Sequence, residues 1–183
     1  MKIISFNINS IRARPHQIEH LRDTLDPDVI GLQETKVNDP EFPIDVINEI
    51  GYHAEFWGQK GHYGVAILSK NKPIATVKGF INDSEDDQKR FIQSTFHFGE
   101  KELIVMNGYF PQGENINHET KFPKKVKFYS DLKEHINNLK KTSSNITCIY
   151  FRFAKEMSNH GRCGSFTMTT NDSNKLLALC LIS

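Results

Sequence analysis

The chain has 183 residues and carries 23 Lys and Arg against 22 Asp and Glu, a formal net charge of +1. That length suits one domain with a real core, and so even a charge balance excludes nucleic-acid binding through a global basic excess, leaving only a local patch. No apolar run approaches a membrane span, and the opening "MKIISFNINS" is too short and too polar for a signal peptide, so a cytoplasmic protein with no membrane partner is expected.

In chain order, "KIISFNI" predicts a strand. Pro15 is placed to open a helix, where its missing N–H costs nothing, and Ile18, Leu21 and Leu25 then form one apolar stripe. "PDVIGLQ" predicts the next strand, and "FPIDVINEI" a short helix ended by Gly51. "YHAEFW" and "YGVAILSK" read as paired strands around "GQKGH". "FIQSTFHF" and "ELIVMNGYF" read as two more, joined by the tight "GEK" turn. From Phe122 to Leu139 the apolar set Val126, Tyr129, Leu132, Ile136 and Leu139 keeps a helical period, with lysines opposite. "NITCIYFRF" predicts a further strand. Strands dominate, helices separate some of them, and neither repeat nor linker interrupts: an α/β chain with mixed strand pairing.

Three strands turn abruptly polar at their ends. The first ends on Asn7 and Asn9, the second on Gln33, Glu34 and Lys36, and a later one on Asn107, Tyr109 and Gln112. Sheet proteins bind ligands beyond strand ends, because the sheet fixes the backbone while the end stays accessible. Brought together, these ends assemble a carboxylate, amides, a phenol and an ammonium. Such oxygen donors suit Mg²⁺, which takes one or two carboxylates and completes its shell with water and substrate phosphate. The bland reading of Glu34 is a solvated acid at a strand end, and that of Tyr109 a core aromatic with a satisfied hydroxyl.

"FNIN", "LQETK", "GQKGHYGVAIL" and "NGYFPQGE", in this order, resemble the exonuclease III family of the endonuclease/exonuclease/phosphatase superfamily. "RARPHQ" and "KFP" add to the resemblance, which covers about residues 1–144. It implies an α/β fold, the N-terminal part of a four-layer sandwich in which two β-sheets are flanked by helices. It implies a monomeric phosphodiesterase dependent on Mg²⁺, with Mn²⁺ as the alternative. Its partner would be double-stranded DNA, including abasic sites and 3′ ends: stepwise 3′→5′ removal of nucleotides, incision at abasic sites, and removal of 3′ phosphates. Residue by residue, Glu34 matches the metal-binding glutamate. Asn7 matches the asparagine supporting the metal and phosphate site, and Tyr109 the tyrosine on the scissile phosphate. Arg90 stands where relatives place a DNA-backbone arginine. Gln112 and Lys121 lie in segments resembling DNA-contacting regions. His62 in "GHYG" invites a role as base, although a strand-turn histidine is more often structural. "KFPKKVK" could meet phosphates from the start of its helix.

The resemblance then stops. Relatives carry a Gly-Asp-x-Asn segment after the lysine-rich helix, where this chain reads "CIYFRFAKEMSNH" and rough register gives Phe151 in place of the aspartate. Their C-terminal Ser-Asp-His is missing too; "TNDSN" around Asp172 does not replace it. Loss of either acid/base group typically costs about 10²–10⁴-fold in rate. Residues 145–183 hold all three cysteines, Cys148, Cys163 and Cys180, and only two acids, Glu156 and Asp172. With no CxxC pair a zinc site is not expected, and the odd count argues against a disulfide framework. The division expected is therefore 1–144, the N-terminal part of the family domain, and 145–183, a divergent tail that reads as an out-of-frame translation. Relatives continue well past residue 183, so a truncated chain with an incomplete second sheet and exposed apolar surface is expected. Three functions compete: a DNA repair nuclease with its catalytic half damaged, a non-catalytic remnant that binds Mg²⁺ or DNA, and a phosphatase on lipid or inositol phosphates. "GQKGHYGVA" and "GYFPQGE" favour DNA over lipid.

Overall fold

The computed structural model describes the chain through residue 142 and, beyond it, the backbone of three further strands. The order is β1 (Lys2–Asn7), α1 (Pro15–Leu25), β2 (Val29–Gln33), α2 (Ile44–Ile50), β3 (His53–Trp57), β4 (Val65–Ser69), β5 (Ala75–Lys78), β6 (Phe91–Phe98), β7 (Lys101–Gly108), α3 (Lys121–Thr142), β8 (Ile146–Phe153), β9 (Cys163–Thr167) and β10 (Leu177–Ile182). The expected elements are all present, with Pro15 in the first turn of α1 and Gly51, at φ 100°, closing α2. The short strand β5 was not anticipated. It is an edge strand, largely exposed, and its "ATVK" lacks the apolar alternation that marks a half-buried strand.

The strands form two five-stranded sheets, in the orders β3-β4-β2-β1-β9 and β10-β8-β7-β6-β5. β1 and β2 run parallel, as do β7 and β8 and β8 and β10, while the remaining pairs are antiparallel. Three apolar clusters make four layers. Ile18 of α1 and Ile47 and Ile50 of α2 pack with Ile30, Leu32, Ala66 and Leu68 on the outside of the first sheet. Ile3, Val29, Val65 and Ile67 meet Ile92, Phe96, Leu103 and Val105 between the sheets. Phe80, Phe91, Ile104 and Met106 on the outside of the second sheet receive Phe128, Leu132, Ile136 and Leu139 of α3. Strands covered on both sides read as continuous apolar runs, which is why "VIGLQ" and "VAILS" are buried throughout.

The α3 stripe differs from the expected one. Val126 is 53% exposed and Tyr129 37%. The buried stripe runs through Phe128, Leu132, Ile136 and Leu139, because Phe128 stacks edge-on against Phe80 at 5.3 Å and so sets the rotation of the helix. His135 lies on the same side, its Nε2 2.7 Å from Gln93 Oε1, and burial pushes its pKa down.

A polar bridge joins the sheets. Asn107 of β7 is fully buried; it accepts from Gln33 Nε2 at 2.6 Å and donates to the carbonyls of Leu32 and Ala66 at 2.7 and 2.9 Å. Among the described residues, no helix is long and apolar enough to cross a membrane.

Candidate metal and phosphate site

Parallel pairing of β1 and β2 sets Asn7 opposite Gln33 and so carries Glu34 to the same edge. Beyond both strand ends the backbone is left-handed at Asn9, Ser10, Glu34 and Lys36, with φ of 46°, 87°, 56° and 57°. None is glycine, and each such residue costs about 1–3 kcal/mol unless its surroundings hold it. A second ladder does so: Ser10 N–H donates to the Glu34 carbonyl at 2.8 Å, Ile11 to Thr35 at 3.1 Å, Thr35 to Gly64 at 3.1 Å and Lys36 to Tyr63 at 2.9 Å. Gly64 has φ 96°, and a Cβ there would lie 2.2 Å from the buried Thr35 Oγ1. The strained turns aim the Glu34 side chain back across the strand ends.

Glu34 Oε1 accepts from Asn7 Nδ2 at 2.8 Å and from the Tyr109 hydroxyl at 2.7 Å. Oε2 pairs with Lys36 Nζ at 3.0 Å, and the same ammonium donates to Asn9 Oδ1 at 2.5 Å. Asn7 Oδ1 in turn accepts from the Asn9 N–H at 3.1 Å. Burial is the largest influence on Glu34 and works against its charge. The hydrogen bonds from Asn7, Tyr109 and Lys36, with the Lys36 charge, outweigh it and hold the carboxyl below its ordinary pKa. Burial, then the bond to Glu34, pushes the Tyr109 phenol up, so it remains a hydrogen-bond donor.

Tyr109 comes from the far sheet, just past β7. Its N–H donates to the Arg90 carbonyl at 2.7 Å, and Arg90 Nη1 donates to the Tyr109 carbonyl at 2.8 Å. The Arg90 guanidinium lies over the Tyr63 and Tyr109 rings, 4.5 and 4.7 Å from their centroids. Burial draws its pKa down from its ordinary value, though an arginine of this kind stays charged. Tyr109 and Arg90 line a groove of about 510 Å³ with Gln112, Lys121, Lys124 and His62. Gln112 is exposed on the groove, and Lys121 is ion-paired with Glu114. His62 packs edge-on to Tyr63, 6.4 Å between centroids.

The structure thus brings Asn7, Glu34 and Tyr109 into one hydrogen-bonded cluster, with Arg90 behind Tyr109. Gln112 and Lys121 stand further along the groove. Gln33 and Asn107, two of the polar strand-end residues, are instead turned into the protein as the bridge between sheets. Tyr63 and Gln88 escaped the reading of the sequence. Gln88 sits two residues before Arg90, in the same "QKR", which was the available signal.

Among the described residues, no group of three His, Cys, Asp or Glu forms a ready cation cage. The donors do fit a hard cation that keeps much of its own water. One ionised carboxylate has the Asn7 amide on one oxygen, and an ammonium, Lys36, already occupies the position between its other oxygen, Oε2, and Asn9 Oδ1. Parallel pairing of β7 and β8 places Phe151 opposite Asn107 and Arg152 opposite Gly108. The end of β8 therefore lies one strand away from Tyr109, and carries no aspartate.

Residues 4–146 match the Endonuclease/Exonuclease/phosphatase family. Over 136 residues the chain is 54% identical to exodeoxyribonuclease III of Haemophilus influenzae, a match covering 74% of this chain and 51% of that protein. It is 34% identical to an exodeoxyribonuclease of Bacillus subtilis over 116 residues, 61% of this chain and 43% of the relative. The fold is similar to a Neisseria 3′ phosphatase bound to a product DNA hairpin, with TM-score 0.71, 29% identity, and coverage of 82% of this chain and 56% of that one. It is likewise similar to an AP endonuclease from Archaeoglobus fulgidus, with TM-score 0.67, 35% identity, and coverage of 79% and 52%. The chain spans about half the length of these relatives. The matched segment and the two-sheet fold together make the chain a member of the endonuclease/exonuclease/phosphatase family.

Proposed function

We propose that the Glu34 cluster is a Mg²⁺-dependent site for DNA phosphodiesters, of the exonuclease III type, in a cytoplasmic monomer. The relatives' names, among them a 3′-5′ exonuclease, a 3′ phosphatase and an AP endonuclease, point to 3′→5′ removal of nucleotides, incision at abasic sites and removal of 3′ phosphates as its reactions. The observation that carries the reading is the Glu34 carboxylate, held charged by Asn7, Tyr109 and Lys36 at the joined ends of two sheets, beside a groove lined by Arg90, Gln112 and Lys121.

Glu34 would hold the cation, with Asn7 fixing the carboxylate and offering its own oxygen. Mn²⁺ would suit the same donors. When bound, the cation would polarise a phosphoryl oxygen and ease ionisation of a water. The chain's own groups have separate tasks. Tyr109, kept protonated, donates to a phosphate oxygen when phosphate replaces Glu34 as its partner. Asn7 can donate to the same phosphate. Arg90, Gln112 and Lys121 position the duplex along the groove through its backbone.

Phe151 opposite Asn107 favours a second reading, in which residues 1–144 keep the binding half of the family domain and residues 145–183 leave it without the acid/base group. The two readings separate in a Mg²⁺-dependent incision assay on an abasic duplex, with Glu34→Ala as control. Incision abolished by Glu34→Ala supports the nuclease. Mg²⁺-dependent binding without incision supports the binding remnant. Neither incision nor Mg²⁺-dependent binding overturns both, and turnover of inositol phosphates but not DNA would move the site to another substrate.

A further inference from the structure

We propose that Gln88 is a positioning residue for phosphate recognition: its amide locks the Arg90 guanidinium against two tyrosine rings and, through Arg90, fixes the Tyr109 hydroxyl on Glu34. The inference rests on the DNA reading above and deepens it.

The Gln88 side chain spends both ends of its amide on this cluster. Nε2 donates to the Tyr63 hydroxyl at 2.7 Å, and Oε1 accepts from Arg90 Nε at 2.6 Å. Arg90 Nη1 donates to the Tyr109 carbonyl at 2.8 Å, and the Arg90 side chain is also hydrogen-bonded to that of Tyr63. The guanidinium carbon lies over both the Tyr63 and the Tyr109 ring, 4.5 and 4.7 Å from their centroids. Stacking leaves a flat ion free to slide and rotate in its own plane; hydrogen bonds at Nε and Nη1 remove that freedom. The backbone bond from Tyr109 N–H to the Arg90 carbonyl, at 2.7 Å, closes the link to the tyrosine that donates to Glu34 at 2.7 Å. Gln88, Arg90, Tyr63 and Tyr109 all line the same groove. An arginine held this way meets a phosphate without first losing its rotamer freedom.

Gln88 could instead touch DNA directly, and salt separates the two roles. A neutral amide releases no counterions, whereas a phosphate-bound arginine contributes a slope of roughly 0.9 in log K against log salt. The experiment is anisotropy of a fluorescein-labelled duplex carrying an abasic-site analogue, titrated with the full 183-residue chain at fixed Ca²⁺ over a KCl series. Arg90→Met should lower the slope by about 0.9. Gln88→Met keeps length and removes no charge, yet should lower the slope by most of that amount and weaken binding by roughly 3- to 10-fold at low salt. Tyr63→Phe, which keeps the ring and removes the hydroxyl that holds both Gln88 and Arg90, should fall between wild type and Gln88→Met. It carries the slope test if Gln88→Met fails to fold. The double variant Gln88→Met with Arg90→Met should bind no more weakly than Arg90→Met alone.

Weaker binding by Gln88→Met at an unchanged slope, or full additivity in the double variant, overturns the proposal while leaving the DNA reading intact. An unchanged slope in Arg90→Met overturns the placing of Arg90 on phosphate, and the proposal with it. A wild-type chain without salt-dependent DNA binding overturns the DNA reading itself.

Discussion

Replacing Asn107 with alanine tests the joint between the two sheets on which the site depends. Asn107 and Gln33 are both fully buried, and Asn107 makes three hydrogen bonds, to Gln33 Nε2, the Leu32 carbonyl and the Ala66 carbonyl. At about 0.5–1.5 kcal/mol net for each, their loss costs about 1.5–4.5 kcal/mol. The orphaned Gln33 Nε2 falls back on Ser5 Oγ and the Gly31 carbonyl, both already at 3.2 Å, which recovers little. A working figure of about 3 kcal/mol is a large part of the roughly 5–15 kcal/mol that holds a domain together. With a urea dependence of about 2 kcal/mol/M, Asn107→Ala should lower the unfolding midpoint by about 1.5 M. Gln112→Ala, on the exposed groove, should stay within about 0.5 kcal/mol of wild type. A destabilisation by Asn107→Ala below about 1 kcal/mol would refute the reasoning: the sheets would then be held by apolar packing alone, with the amides as passengers.

Three further outcomes are expected. Glu34 has a folded pKa below its ordinary value of 4.5, so its contribution to stability is present above that value and is lost as pH falls through the folded pKa. Urea unfolding across that acid range should therefore show wild type losing more stability than Glu34→Gln, and equal losses would contradict the assignment. Gly64→Ala should destabilise by more than about 1 kcal/mol, because alanine would keep a φ of 96° and press on Thr35 Oγ1; a thermal scan checks it. Glu34→Ala should leave the fold in place, since its side chain serves the site edge and not the core, while removing any Mg²⁺ dependence of DNA binding when the anisotropy titration is run over a Mg²⁺ series.

Much of this was legible in the sequence, for physical reasons that particular residues make plain. "DVIGLQ" announces a strand buried on both sides, and Pro15 and Gly51 punctuate their helices through fixed φ and left-handed φ. The sudden polarity after Leu32 marks a strand end that serves something, and Asn7, Glu34 and Tyr109 do meet. What was not legible depends on tertiary partners. Alternation cannot say that Gln33 and Asn107 face each other across two sheets 74 residues apart in sequence. Periodicity offered Val126 and Tyr129 to the core of α3, and the Phe80–Phe128 contact rotated them outward. Strand β5 lacks an apolar face and exists because β6 provides an edge to pair with, from Ala75↔Thr95 to Lys78↔Ile92. Gln88 and Tyr63 look like loop residues until Arg90 is seen against the Tyr63 ring and hydrogen-bonded to Gln88.

The most direct test of the account is an amide NMR titration of the chain with Mg²⁺, comparing wild type with Glu34→Ala. The account predicts saturable shifts centred on Asn7, Asn9, Glu34 and Lys36, where the Glu34 carboxylate and the Asn9 amide oxygen already hold an ammonium and Asn7 braces the carboxylate, and their loss in Glu34→Ala. Shifts centred elsewhere, or unchanged in Glu34→Ala, would contradict it.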